Sequence, residues 1–137
     1  MHQATPLFLC MAMTPHYFTL EEANTIITQI RPLMAELLKR RARVVSHRPY
    51  LHNIVEDFHS NTGSALATSV ALDFFTIERL LDQIRAHGCV IKDINVGLID
   101  FLTERDGREV FLCWRYGEDA VAFYHDLHTG FNSRRPV

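Results

Sequence analysis

The amino-acid sequence predicts an α+β domain in which a long antiparallel helical hairpin packs on a four-stranded antiparallel β-meander. Two observations lead to this prediction. Apolar residues recur at spacings of three and four over two long segments between residues 20 and 87, a pattern typical of amphipathic helices. From Gly88 to Phe131, short runs of β-branched and aromatic residues alternate with turn residues, as they do in antiparallel strands.

The length and charge of the chain limit what it can be. With 137 residues, 47% of them hydrophobic, it can bury a core without disulfides. We expect residues 13–137 to form a single domain and residues 1–12 to be a disordered N-terminal extension. The formal net charge of -2 gives no general attraction to nucleic acid or anionic membranes, and the apolar run at residues 6–13 is too short to span a bilayer. We therefore expect neither nucleic acid nor a membrane as a partner.

The cysteines indicate the compartment. Cys10, Cys89 and Cys113 are odd in number, widely spaced and without a Cys-x-x-Cys pair. This pattern argues against a disulfide framework and against a zinc knuckle. It favours a cytoplasmic location.

The first helix is predicted to begin after Thr19, because Thr19-Leu20-Glu21-Glu22 has the form of a capping box. Pro32 has no N–H group and its ring clashes with the carbonyl of Thr28. We expect it to kink or split the helix, with the second part ending near Ser46. The basic residues between Lys39 and Arg48 suit the C-terminal end of a helix or a solvated face.

A second amphipathic helix is predicted from about Ala67 to His87, with Gly88 as its C-terminal stop. The connection to the first helix is short, which favours an antiparallel pair. Phe74, Phe75 and Leu80 widen its apolar face beyond what one copy of the chain would cover. We therefore expect a homodimer formed through the helical hairpin.

Four strands are predicted after the helices, at Cys89–Ile94, Gly97–Leu102, Arg108–Arg115 and Val121–Leu127. In the third strand, even-numbered Val110, Leu112 and Trp114 share one face, and odd-numbered Phe111, Cys113 and Arg115 share the other. Both faces are partly apolar. One face is expected to pack on the helices and the other to meet a partner chain.

Asp100 is the first candidate for a functional residue. Strand alternation places it beside Leu98 and Leu102, where an unpaired carboxylate would cost several kcal/mol to bury. Lys92, Arg115 and Arg134 are the cations available to it. Arg115 lies on the adjacent strand, so we expect an ion pair between Asp100 and Arg115. The alternative is that these groups bind a small anionic ligand.

A second set of candidates surrounds His125. Glu118 and His125 lie across a short turn, so the carboxylate could face and orient the imidazole for general-base chemistry. Cys113 is the thiol within reach of that imidazole, although mid-strand cysteines are commonly small apolar side chains. His125 and His128 could also bind a metal together with Cys113 or Glu118. No phosphate-binding glycine loop and no Ser-His-Asp pattern is evident.

A set of short motifs is spread over the chain from Tyr17 onward. The motifs are Tyr17-Phe18-Thr19, Glu22-Ala23-Asn24, Lys92-Asp93, Gly97-Leu98-Ile99-Asp100-Phe101, Gly107-Arg108-Glu109-Val110, Leu112-Cys113-Trp114, Gly117-Glu118, His125, Gly130-Phe131, Arg134 and Pro136. In this order and spacing the chain resembles the bacterial domain of unknown function 2203 family. It departs from the family pattern at Thr28 and in the connection at residues 47–66. The resemblance implies a small cytoplasmic protein of helices and a sheet, and it brings no established reaction or ligand.

We interpret the chain as a non-catalytic interaction or small-anion-binding module that needs no cofactor and no metal. Its ligand-binding residues are predicted to be Lys92, Asp100, Arg115, Glu118, His125 and Arg134. The alternative is a metal-dependent or cysteine-based enzyme centred on His125, with Cys113 and Glu118.

Overall fold

The computed structural model describes residues 14–50 and 65–137. It contains two helices, α1 (Leu20–Ser46) and α2 (Ala65–Arg85), and five strands. The strands are β1 (Val90–Asp93), β2 (Leu98–Arg105), β3 (Arg108–Arg115), β4 (Phe123–Asp126) and β5 (Arg135–Pro136). The predicted N-terminal extension, residues 1–12, lies outside the described residues. No helix in the described ranges is long and apolar enough to cross a membrane.

Helix α1 begins at the predicted cap, where the Thr19 hydroxyl accepts a hydrogen bond of 3.1 Å from the backbone N–H of Glu22. The helix then runs for 27 residues and includes Pro32. The helix is therefore not split at Pro32, and a kink at this residue stays a prediction. Ile30 and Met34, on either side of the proline, are fully buried, so tertiary packing holds both halves of the helix in place.

The helices form the predicted antiparallel hairpin. Near the end of α1, Arg40 and Arg43 lie 3.0 and 3.3 Å from the carboxylate of Asp73 in the first half of α2. At the other end, Gly88 packs against the ring of Phe18. Asp73 is fully buried between the helices. Part of the basic run of α1 therefore binds the second helix instead of only facing solvent.

The sheet is antiparallel with the strand order β1-β2-β3-β4-β5, so it has five strands where the sequence predicted four. The additional strand, β5, pairs Arg135 with Tyr124 and Pro136 with Phe123. Two residues are too few to show an alternating pattern, and a proline is tolerated here because β5 is an edge strand.

The two faces of the sheet have different environments. The inner face packs on the helices through Ile99, Phe101, Leu112 and Trp114, all of them buried. The opposite side, which we call the outer face, carries the alternate residues of the three central strands. These residues are Leu98, Asp100, Leu102, Glu104, Glu109, Phe111, Cys113, Arg115, Phe123 and His125. The fold is thus a helical layer on a sheet whose other face carries three of the predicted site residues, Asp100, Arg115 and His125.

Candidate functional site

Three reactive side chains lie next to one another in the middle of the outer face. Asp100 of β2 is directly opposite Cys113 of β3, and His125 of β4 is opposite Phe111, two residues before Cys113. Asp100 and Cys113 are 0% exposed and His125 is 1% exposed. Three neighbouring strands therefore bring a carboxyl, a thiol and an imidazole into one buried cluster.

The hydrogen bonds of His125 define its orientation. Nε2 lies 2.8 Å from Oδ2 of Asp100, and Nδ1 lies 2.8 Å from the backbone oxygen of Asp126. A carbonyl oxygen only accepts hydrogen bonds, so Nδ1 must carry a proton. Nε2 and Oδ2 therefore share a single proton, whether the pair is a neutral acid with an imidazole or a carboxylate with an imidazolium.

Burial changes the acidity of the other two groups. It raises the pKa of the Asp100 carboxyl above its usual value, while the charge of His125 and the Cys113 thiol act in the opposite direction. Burial, with a further contribution from Asp100, raises the pKa of the Cys113 thiol to about 12. Cys113 is therefore a protonated thiol near neutral pH, which is not the state of a nucleophilic cysteine.

One oxygen of the cluster has an unmet hydrogen-bonding capacity. Asp100 Oδ1 is buried and has no hydrogen-bond partner in the described part of the chain. One donor atom each from Asp100, Cys113 and His125 lie within 4.8 Å of one another. Within residues 14–50 and 65–137, these three residues form a group that could hold a metal ion.

Cations and aromatic rings surround the cluster; we call them the outer-face cover. The Phe111 ring lies 5.7 Å from the ring of His125, and the Lys92 ammonium lies 4.6 Å from the centre of the Phe111 ring. At the other side, the guanidinium of Arg134 lies 4.3 Å from the Phe123 ring and 3.9 Å from the Phe131 ring. The members of the cover are Lys92, Phe111, Arg115, Phe123, Phe131 and Arg134.

The expected ion pair between Asp100 and Arg115 is wrong. The β2–β3 register places Arg115 opposite Leu98, two residues along the strand from Asp100. Arg115 is exposed, and its guanidinium lies 5.4 Å from the centre of the Phe131 ring. Burial of Asp100 is compensated by the contact with His125 instead of by an ion pair with Arg115.

The alternative in which Glu118 orients His125 is not formed either. Glu118 Oε1 accepts a hydrogen bond of 2.7 Å from Arg134, and both ring nitrogens of His125 bind elsewhere. His128 is not part of the buried cluster formed by the described residues. Of the six predicted site residues, Asp100, Arg115 and His125 lie on the outer face. Lys92 and Arg134 contact aromatic rings of this face, and Glu118 binds Arg134.

Comparison with known families identifies the family of the chain. The model of the family described as "Uncharacterized conserved protein (DUF2203)" matches residues 16–137. No curated protein and no solved structure matches the chain.

Proposed function

Because the chain belongs to the DUF2203 family, whose description names no reaction, we propose a function from the geometry of the outer face. The protein is a non-catalytic module that binds a small anion, such as a carboxylate or a phosphate, at the outer-face cover. The observation that carries this proposal is the charge of the cover. Lys92 and Arg115 contact aromatic rings, and neither forms an ion pair with a carboxylate of residues 14–50 or 65–137.

Arg134 supports the proposal through its fixed position. Its guanidinium is held by Glu118 at 2.7 Å and lies against the rings of Phe123 and Phe131. Arg115 contacts the same Phe131 ring, so two guanidinium groups share one small patch. A guanidinium presents planar, paired donors that match a carboxylate or phosphate, and a pre-ordered side chain loses less entropy on binding. Glu118 neutralises Arg134, which leaves Arg115 and Lys92 to supply the unmatched positive charge.

The chemistry of the buried cluster favours binding over cysteine-based catalysis. Both nitrogens of His125 already have partners, Asp100 and the backbone of Asp126, so neither points at the Cys113 thiol as a base. Burial also keeps that thiol protonated by raising its pKa to about 12. A nucleophilic cysteine needs the opposite arrangement.

Calorimetric titration of the full chain with inorganic phosphate and with citrate tests the proposal. A charge-assisted hydrogen bond contributes about 1.5–3 kcal/mol, so Arg115→Gln should weaken anion binding by roughly tenfold or more. Arg105→Gln is the matched control, because Arg105 also lies on an aromatic ring, Tyr124, but on the inner-face side. Absence of binding to the wild-type chain, or equal weakening by the two variants, would contradict an anion site at Arg115.

We also propose that two copies of the chain associate through the helical hairpin. Leu72, Phe74 and Phe75 of α2 are 58%, 51% and 69% exposed, and such apolar groups on one helix favour contact with another apolar surface. Sedimentation should show a dimer at micromolar concentration, and Phe75→Glu should give a monomer. Val90→Glu, at an exposed apolar position on β1, should leave the dimer intact. A wild-type monomer at high concentration would remove this proposal.

A cytoplasmic location is the third part of the proposal. Cys89 and Cys113 are both free and buried. Free cysteines without a disulfide framework fit a reducing compartment. The bacterial origin implied by the family resemblance stays a prediction.

A further inference from the structure

The buried cluster of Asp100, Cys113 and His125 has the donor set of a transition-metal site. An imidazole nitrogen, a cysteine sulfur and a carboxylate oxygen are the ligand types that Zn²⁺ takes in proteins, at about 2.0–2.3 Å from the ion. Their donor atoms lie within 4.8 Å of one another. Two ligands of one tetrahedral ion are about 3–4 Å apart, so small side-chain movements bring all three to a common centre. Each residue comes from a different central strand, which gives the site a rigid frame.

The unpaired oxygen of Asp100 is an independent observation that points to a ligand. Oδ1 is fully buried and has no hydrogen-bond partner within the described ranges. A buried carboxylate oxygen without a partner is costly, and native structures rarely keep one without a reason. A cation at the centre of the cluster would satisfy this oxygen.

His125 already has the orientation of a metal ligand. Its Nδ1–H donates to the backbone oxygen of Asp126, so Nε2 presents its lone pair to the cluster once the proton shared with Asp100 has left. Histidines that bind metals commonly donate their other ring N–H to a carbonyl or carboxylate, which holds the ring and increases its basicity.

We propose that Asp100, Cys113 and His125 bind one divalent transition-metal ion of the zinc class. Cys113 binds as a thiolate, His125 through Nε2 and Asp100 through a carboxylate oxygen, and the fourth position is open to water or another donor. Binding releases to solvent the thiol proton of Cys113 and the proton shared by Asp100 and His125. The charge of the bound ion overcomes the effect of burial on the thiol, because a coordinated thiol is deprotonated outright. This site is distinct from the proposed anion site, since none of its ligands belongs to the outer-face cover.

Cobalt titration of the chelator-treated full chain tests this proposal, because a thiolate bound to Co²⁺ gives a charge-transfer band in the near ultraviolet. We expect the band to saturate at one equivalent of Co²⁺ and to disappear when Zn²⁺ is added. Cys113→Ser should abolish it. Cys89→Ser is the matched control, since Cys89 is also buried and free but donates to the backbone oxygen of Ile84. Cys10→Ser controls for the cysteine outside the described residues.

Two further variants test the other ligands. Asp100→Asn and His125→Gln should each lower the affinity for Zn²⁺ by more than about 100-fold, because loss of a partner of a metal ligand alone costs 10–100-fold. Cys113→Ser and Asp100→Asn preserve side-chain volume, so folding is expected to survive. The emission of Trp114, the single tryptophan and a fully buried one, verifies folding of each variant.

The results of the cobalt titrations distinguish a metal site from a buried polar pair. Absence of the band from the wild-type chain at millimolar Co²⁺ would overturn the proposal and leave a buried polar pair that holds the strand register. A band that persists in Cys113→Ser and disappears in Cys89→Ser or Cys10→Ser would overturn it as well. Arg115→Gln should bind cobalt as the wild-type chain does, so failure of the anion proposal and failure of the metal proposal give different results.

Discussion

The contact between Asp100 and His125 leads to the most specific stability prediction. Asp100→Ala removes the partner of His125 Nε2, while Nδ1 keeps its hydrogen bond to Asp126. The imidazole is 1% exposed, so water cannot replace the lost carboxyl without a rearrangement of the outer-face cover. The variant therefore leaves a polar nitrogen buried without a partner.

The magnitude follows from this burial. A buried polar atom without a hydrogen bond costs about 1–3 kcal/mol, and loss of one member of a buried charged pair costs about 3–5 kcal/mol. Asp100 and His125 share one proton, so their contact lies between these cases and we expect Asp100→Ala to lose about 3 kcal/mol. For a chain of 137 residues this corresponds to a fall in Tm of about 10 °C. Asp100→Asn should lose only about 1 kcal/mol, because its amide can donate to Nε2 or accept from a protonated ring.

A double-mutant cycle isolates the pair. The free energy of unfolding in urea is measured through Trp114 emission for Asp100→Ala, His125→Ala and the double variant, with a chelator present to exclude metal binding. We expect a coupling energy of about 2 kcal/mol. Arg115→Ala should change stability by less than about 0.5 kcal/mol, since Arg115 is exposed and does not contact Asp100. Additive losses, with a coupling below about 0.5 kcal/mol, would refute the assignment of the pair.

Three further predictions test the frame of the site and access to it. Gly97→Ala should lower the free energy of unfolding in urea by about 2–3 kcal/mol, because φ is +70° and a Cβ would lie 2.8 Å from the Cβ of Tyr116. The control Gly107→Ala, where φ is +76° and no atom lies near the added Cβ, should lose only about 1 kcal/mol through backbone strain. Similar losses would contradict the steric argument. Asp73→Ala should lower the free energy of unfolding by about 2 kcal/mol, because Arg40 and Arg43 lose their buried partner. Asp82→Ala should leave thermal unfolding unchanged, because the Asp82 side chain is 80% exposed in its ion pair with Arg85. Phe111→Ala should accelerate cobalt uptake in stopped-flow absorbance because Phe111 covers His125, and Phe75→Ala on the distant helix should not; equal rates would show that metal enters by another path.

The helices were predictable because their patterns are long. Twenty or more residues with apolar positions at helical spacing outweigh local exceptions, and the cap at Thr19 marks the start of α1. Pro32 alone does not predict a split. The cost of one lost hydrogen bond is outweighed by the burial of apolar side chains on the same helix, namely Ile27, Ile30, Met34 and Leu37. The role of Asp73 could not be found from periodicity, because its partners lie thirty or more residues away in α1.

The β2–β3 register could have been predicted from the sequence. Asp106 and Gly107 have φ of +53° and +76°, as a two-residue turn of the Asp-Gly type requires, and such a turn makes Arg105 pair with Arg108. Counting back from this pair places Asp100 opposite Cys113, so the turn alone excludes a direct Asp100–Arg115 pair. The predicted strand bounds, Gly97–Leu102 and Arg108–Arg115, leave residues 103–107 as a longer turn, which does not define this register.

The position of His125 could not be predicted in the same way, because no short turn links β3 to β4. Seven residues separate Arg115 from Phe123, and the backbone between them contacts the helix through Arg31 and Asn24. The β3–β4 register therefore depends on tertiary contacts that a local pattern does not contain. A one-residue slip of β4 would turn His125 to the inner face and leave Asp100 without its partner. The cost of burying that carboxyl alone therefore helps to select the observed register, and the same pair that supplies two of the proposed metal ligands also stabilises the strand arrangement that positions them.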